Sequence, residues 1–226
     1  VPDQDTTRIL TINSGSSSLK VALYEMSQVE TLLLTASVER VGLPDSQIQI
    51  IAADGAPLFD QQNDLPNHDA ALQALFTWLK DHPSGSNLSA VGHRVVHGGS
   101  RYSEPQPITP TLIAALRELM PVDPDHLPQA LDGIETVGRI YPSLPQVACF
   151  DTAFHRHMPK VAQMYALPRK FYDAGLLRYG FHGLSYEFIL WELRHLDPVA
   201  AGGRVIIAHL GNGASMVAVR SGLSLD

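Results

Sequence analysis

The sequence predicts an α/β protein, a sheet carrying helices on its faces, and three observations point there. Apolar, strand-like runs follow one another from residue 8 to residue 60. Helical and strand periods then alternate from residue 69 to residue 196. The opening plan of apolar run, small-residue turn and apolar run then returns at residues 204–220. On residues alone that return fits two descriptions. One is a duplicated architecture whose two turns face one cleft and hold different phosphates of one nucleotide. The other is a pair of unrelated hairpins.

Taken in order, Arg8–Ile12 and Lys20–Glu25 are short apolar runs across a small-residue turn. Leu32–Val41 and Gln47–Ala52 have the same strand character, and Asp54-Gly55 supplies a hairpin turn before Pro57–Asp60. Behind Asp69 as N-cap, Ala70, Ala71, Leu72, Leu75, Phe76 and Leu79 recur at helical spacing, and Pro83-Ser84-Gly85-Ser86-Asn87 ends that helix in a loop. Ala90–His97 reads as a buried strand, Leu112–Met120 and Leu127–Tyr141 as helices, and Gln146–Phe150 as another strand. Ser185 is the expected cap of a helix running to Leu196.

Composition bounds the function classes. The chain has 226 residues, 45% of them hydrophobic, enough for one full domain and part of another. A net charge of −7 argues against nucleic acid as a partner, so an anionic ligand needs a local positive site built from Lys20, Arg94 and a divalent metal. No apolar run approaches the ~20 residues of a membrane span. Val1-Pro2-Asp3-Gln4-Asp5 lacks a basic region followed by an apolar one, so no secretory signal and a cytoplasmic location are expected. Cys149 is the only cysteine, which excludes an internal disulfide. Its setting between Ala148 and Phe150 suggests a buried strand thiol rather than a nucleophile.

Five segments pair polar chemistry with glycine or small residues. In Asn13-Ser14-Gly15-Ser16-Ser17-Ser18-Leu19-Lys20, small side chains let backbone N–H groups approach anionic oxygens, hydroxyls add donors and Lys20 adds charge. The strand expected after Lys20, and the absence of Gly-Lys-Ser/Thr, set it apart from a Walker-type loop. An ordinary tight hairpin explains the same residues. His93-Arg94-Val95-Val96-His97-Gly98-Gly99 holds a guanidinium suited to paired bonds with anionic oxygen, or to a strand-end ion pair. His93 and His97 lie four apart on a predicted strand, about 13 Å from each other and too far for one metal. Asp151-Thr152-Ala153-Phe154-His155 offers Asp151 as a metal-linked acid or as a helix cap. Tyr179-Gly180-Phe181-His182-Gly183 offers His182 as a donor to developing negative charge or as a satisfied core residue. In His209-Leu210-Gly211-Asn212-Gly213, a phosphate contact and a plain turn again compete.

Together, in this order and at these separations, the five segments closely resemble the acetate kinase family, from about Ile9 to Asp226. The resemblance implies the duplicated actin-like, ribonuclease H-like ATPase fold. Residues 1–200 would then form the first domain, with the acceptor and phosphoryl site, and 201–226 the opening hairpin of a second, nucleotide-binding domain. It implies ATP-dependent phosphorylation of a short-chain carboxylate, acetate by default, to an acyl phosphate by direct in-line transfer. ATP or ADP and Mg²⁺ (or Mn²⁺) are the implied co-substrate and cofactor, and a homodimer the implied assembly. Asp151, Arg94 and His182 are the implied catalytic residues. Arg94, Val96, Phe181 and Val122 would bind the acceptor, and Asn13 and Asp151 the metal. Asn13, Ser16, Ser18, Lys20, His209, Gly211, Asn212 and Gly213 would hold nucleotide phosphates. The acceptor, a carboxylic acid that ionises at a pH of roughly 4, has no proton to lose at neutral pH, so Asp151 need not be a base.

Family members are roughly twice this length, so the resemblance also implies a first part of a longer enzyme, inactive without a C-terminal segment. Two departures stand out. Tyr186 occupies the place of a usual second histidine, and Val122-Asp123-Pro124-Asp125-His126 departs from a usual His-Asn-Pro, so no catalytic role passes to His126. The alternatives are a propionate or butyrate kinase, since one methylene is worth only about 1–3 kcal/mol in such a pocket, and a non-catalytic nucleotide-binding module like actin or a chaperone ATPase. Only the last makes Arg94, Asp151 and His182 unnecessary.

Overall fold

A computed structural model describes residues 7–85, 87–211 and 213–226. Contact density divides the chain into two compact units, residues 1–95 with 106–148, and residues 96–105 with 149–226.

The first unit is built on a mixed sheet. Its strands are β1 (Thr7–Ser14), β2 (Ser18–Met26), β3 (Glu30–Glu39), β4 (Ser46–Ala52), β5 (Pro57–Asn63), β6 (Leu88–Val95), β7 (Gln106–Pro107) and β8 (Gln146–Phe150, whose last two residues count with the second unit), ordered β5-β4-β3-β2-β1-β6-β8-β7. From β1 to β5 the neighbours are antiparallel, as short hairpin turns require, whereas β6 joins β1 in parallel after a helical crossover. Gly55 has φ +87° in the Asp54–Gly55 turn, where a side chain would be strained.

Helices α1 (His68–Asp81), α2 (Pro110–Leu119) and α3 (Leu127–Ile140) belong to this unit. Leu72, Leu75, Phe76 and Leu79 of α1 and Val137 of α3 pack with Leu10, Ile12, Leu23, Leu34, Ile50 and Val91 of the sheet in one buried core. Each such side chain contributes about 2 kcal/mol by leaving water. Alternation along the strands then leaves Thr11, Asn13 and Lys20 on the sheet's other face.

The cap of α1 differs from the expectation. Asn67, not Asp69, is the N-cap, and its side chain accepts from Ala70 N at 2.9 Å. Asp69 instead lies in the first turn, where its carboxylate accepts from Thr136 (2.6 Å) and Arg139 of α3. An acid there also suits the helix dipole, so both positions satisfy the sequence signal.

In the second unit, a 3-10 segment, Asp151–His155, follows β8 directly. Short helices α4 (Lys160–Gln163) and α5 (Lys170–Asp173) precede α6 (Gly183–Leu196) and α7 (Pro198–Ala201). A three-stranded antiparallel sheet, β9 (Arg204–Leu210), β10 (Ala214–Arg220) and β11 (Leu223–Ser224), completes it. Phe154, Tyr186, Leu190, Ile207, Val217 and Val219 form its core. The predicted strand, turn and strand at residues 204–220 is therefore a hairpin, while Asn212 at its turn lies outside the described residues, as does Ser86 of the loop after α1. Ser185 does not cap α6. The helix begins two residues earlier, at Gly183, with His182 at the cap in the left-handed conformation, φ +57°.

Candidate active site

In the first unit the end of β1 is the reference point. Asn13 pairs with Lys20 across the β1–β2 hairpin, and the parallel register of β1 with β6 aligns Ile12 with His93. Residues one step further, Asn13 and Arg94, therefore share a face, and Arg94 Nη1 donates to Asn13 Oδ1 at 3.0 Å. Asn13, Lys20 and Arg94 are thus gathered on one side of the sheet by register alone, and Asn13 and Lys20 line a shallow hollow of about 310 Å³ with Thr11, Thr35 and Ser37.

The turn beside them is tight. Gly15 N donates to Ser18 O at 2.8 Å, which closes the turn around Ser16 and Ser17. The first residue of α1 braces it from behind, with His68 Nε2 2.8 Å from the Gly15 carbonyl. The sequence does not single out His68, because nothing local marks a contact between residues 53 apart.

His93, adjacent to Arg94, faces the opposite way and is 2% exposed. Burial lowers its pKa from 6.5 to about 4, so the ring is neutral, and the Gln146 side chain hydrogen-bonds its Nε2 at 2.8 Å. With the Gln146 amide donating to that nitrogen and to Ile134 O, its oxygen accepts from Gly138 N, so the whole amide of Gln146 is used. Val122 is 65% exposed in the segment between α2 and α3, and His126 is hydrogen-bonded to Asp123 Oδ1 at 2.9 Å.

In the second unit Asp151 is 1% exposed at the end of β8. A Cβ built on Gly183 would fall 2.0 Å from Asp151 O and 2.6 Å from Phe154 Cβ. Glycine at 183 is therefore what lets the start of α6 press on the segment carrying Asp151, and His182 precedes that contact directly. The backbone of Asp151 is thereby in contact with the residue that follows His182. At the far end of the same segment, His155 is buried, with Nε2 3.2 Å from Phe181 O and Nδ1 2.9 Å from Ser224 Oγ. Burial lowers its pKa, which keeps the ring neutral and fits a bracing role for the last residue of the Asp151–His155 motif.

The His182 ring lies parallel to His209, with centroids 4.1 Å apart and planes at 17°. His182 Nδ1 is 2.7 Å from Ser215 Oγ, which also bonds the hydroxyl of Tyr186. His209 Nδ1 is 3.0 Å from Ser185 Oγ. Gly213 stands against the His182 ring, since a Cβ there would be 3.6 Å from both Cε1 and Nε2. Phe181 is 37% exposed and its ring meets His97 edge-on, one residue after Val96. Ser215 and Ser185 are not marked as site groups by the sequence, because hydroxyls on α6 and β10 carry no motif of their own, whereas Tyr186 is marked by the histidine whose place it takes. Cys149 is half-buried on its strand rather than fully buried as expected, and burial, then the Glu187 charge, pushes its thiol up.

The donor chemistry fits a magnesium ion at Asp151, a buried hard-oxygen carboxylate of the kind Mg²⁺ takes together with phosphate oxygens and waters. Asn13 fits less well, because its oxygen already faces the Arg94 guanidinium. Among the described residues no group of three His, Cys, Asp or Glu converges as a metal cage.

This α/β fold is shared with solved short-chain carboxylate kinases. The structure of Porphyromonas gingivalis acetate kinase matches with a TM-score of 0.84 at 36% identity, and that of a Francisella tularensis propionate kinase with 0.87 at 31%. Each match covers 97% of this chain and 56% of the other. Acetate kinases of Methylocella silvestris and Rhizobium meliloti are 42% and 45% identical over 96% of this chain. The family model described as the acetokinase family matches residues 8–226, and the chain belongs to that family. It spans about half the length of the curated relatives it matches, 56% of each of these two.

Proposed function

We propose that this chain carries the acceptor and phosphoryl-transfer half of an ATP-dependent acetate kinase, with residues 201–226 opening a second, nucleotide-binding domain supplied by further polypeptide. The observation that carries the reading is the close backbone packing of Gly183, the residue after His182, on the carbonyl of the buried Asp151, in segments spanned by the family match. A carboxylate oxygen of the acceptor attacks the γ-phosphorus of ATP, the bond to the bridging oxygen of ADP breaks, and acetyl phosphate and ADP leave. No proton need be removed from the acceptor, so the protein's task is alignment and charge neutralisation.

Arg94, oriented by Asn13, grips anionic oxygen of the acceptor and of the group in transfer, and its planar fork suits two parallel bonds. His182 donates to an equatorial oxygen. The Ser16 and Ser17 amides, Ser18, Lys20, His209 and the turn at 211–213 hold nucleotide phosphates. A bound Mg²⁺ ion, held by Asp151, would offset phosphate charge. Val96, Phe181 and Val122 bound the acceptor's alkyl end. A propionate acceptor is the second reading, favoured by the similarity to the Francisella propionate kinase.

Trapping the acyl phosphate with hydroxylamine tests both. The intact protein should form acetyl hydroxamate only with ATP, and yields across acids of increasing length should peak at acetate. Asp151→Asn should cost about 3–4 kcal/mol of transition-state stabilisation with the circular dichroism of the fold unchanged. Activity retained in Asp151→Asn would remove the carboxylate from the mechanism.

A further inference from the structure

We propose that Tyr186 and Ser215 are positioning residues that fix the tautomer of His182, so that its Nε2 carries the proton; the inference rests on the reading of His182 as a donor to phosphoryl oxygen. The hydroxyls dictate this arrangement. Tyr186 is fully buried, and among the described residues its hydroxyl has a single hydrogen-bond partner, Ser215 Oγ. A buried phenol that donated nowhere would cost about 1–3 kcal/mol, so its proton lies on the line to Ser215. Ser215 Oγ has one proton of its own, and its other partner is His182 Nδ1 at 2.7 Å. With Tyr186 already donating to the oxygen, the serine proton goes to Nδ1, which must then be the unprotonated nitrogen of a neutral imidazole.

The opposite polarity is disfavoured for a physical reason. If Nδ1–H donated to Ser215, the serine would have to donate to Tyr186, whose own proton would have no acceptor among the described residues. The relay therefore runs Tyr186 to Ser215 to His182 and ends in an N–H at Nε2, on the ring edge that Gly213, itself without a side chain, faces. Three elements contribute to it. The helix start supplies His182, the next turn of α6 supplies Tyr186, and β10 supplies Ser215. Stacking on His209 holds the ring plane. A ring of the other tautomer would present a lone pair at Nε2 and repel an anionic oxygen.

The test uses the intact protein labelled with ¹⁵N at histidine, with the imidazole nitrogens of His182 read by NMR at a pH where the ring is neutral. The expected pattern is a protonated Nε2 and an unprotonated Nδ1 in the wild type, with that preference lost in Ser215→Ala and weakened in Tyr186→Phe. Turnover in Ser215→Ala should fall about ten- to a hundredfold at little-changed KM for the carboxylate, and Ser215→Thr, which keeps a hydroxyl, should recover most of it. A wild-type ring protonated at Nδ1 overturns the relay without any variant needing to fold, and so does a tautomer unmoved by Ser215→Ala. His182→Ala separates the two ideas: full activity there sinks the phosphoryl-donor reading, whereas the nitrogen spectrum alone decides the relay.

Discussion

At Asn13 one amide oxygen orients the guanidinium proposed to hold the acceptor. Asn13→Ala should release Arg94 to other rotamers and raise the KM for the carboxylate about tenfold, roughly 1.4 kcal/mol, with a smaller effect on the KM for ATP. Initial rates at varied acetate and fixed ATP would show it. His93 reports through stability instead. Its pKa is lowered from 6.5 to about 4 by burial, so as pH falls between those values the unfolded chain takes up a proton that the folded ring refuses. Stability present above the upper value is therefore lost toward the lower one, by up to about 3 kcal/mol. Denaturant titrations across that range should show the slope, and His93→Gln should flatten it. Residue types are readable from the sequence: Asn13, Lys20, Arg94, Asp151, His182 and His209 all stand out by chemistry and motif. Their bracing partners, His68, Ser185, Ser215 and Gln146, do not, because pairings between distant segments leave no local signature.

At the scale of elements, hydrophobic period sets the strands and long helices, and the ends are decided by tertiary contacts. Asn67 and Asp69 both suit a helix start, and only the presence of Thr136 and Arg139 on α3 explains why Asp69 serves inside the first turn. The start of α6 departs from expectation for a related reason. Ser185 looks like a cap, but Gly183 is required by the backbone of Asp151, and the helix begins where that contact lies. Gly183→Ala should accordingly lower the melting temperature by an amount equivalent to about 3 kcal/mol or more and disable catalysis with it, whereas Asn67→Ala should cost only about 1 kcal/mol of cap energy and leave turnover intact. Thermal unfolding of the two variants side by side tests the contrast. His182 adds to the strain here, since a non-glycine residue at φ +57° is held by its surroundings rather than by its own preference.

For the whole molecule, the relevant feature is one face of the β9–β10 hairpin, where Ile206, Leu210 and Met216 are 76%, 80% and 71% exposed. Residues of the other face, Ile207, Val217 and Val219, are buried against the helix side. Relatives are nearly twice as long as this chain, and the exposed apolar face matches the need of a second layer. The chain by itself should therefore show little hydroxamate formation. Co-expression with the corresponding C-terminal portion should restore it and bury Met216, which protection from oxidation would report. Strong activity from the chain alone would refute the dependence. The family is legible from five motifs in register; the boundaries of the two compact units are not, because they depend on which distant segments pack together.

The in-step alignment of β1 with β6 has a consequence for how this gene can vary. Deleting a single codon between residues 90 and 93, beyond the register shift at Ser89, would preserve the reading frame yet turn the guanidinium of residue 94 toward the helix-covered side, exchanging places with its buried neighbour. Length polymorphism should consequently be absent from those two strands and collect at the Asp54–Gly55 bend, where an extra residue disturbs no active group.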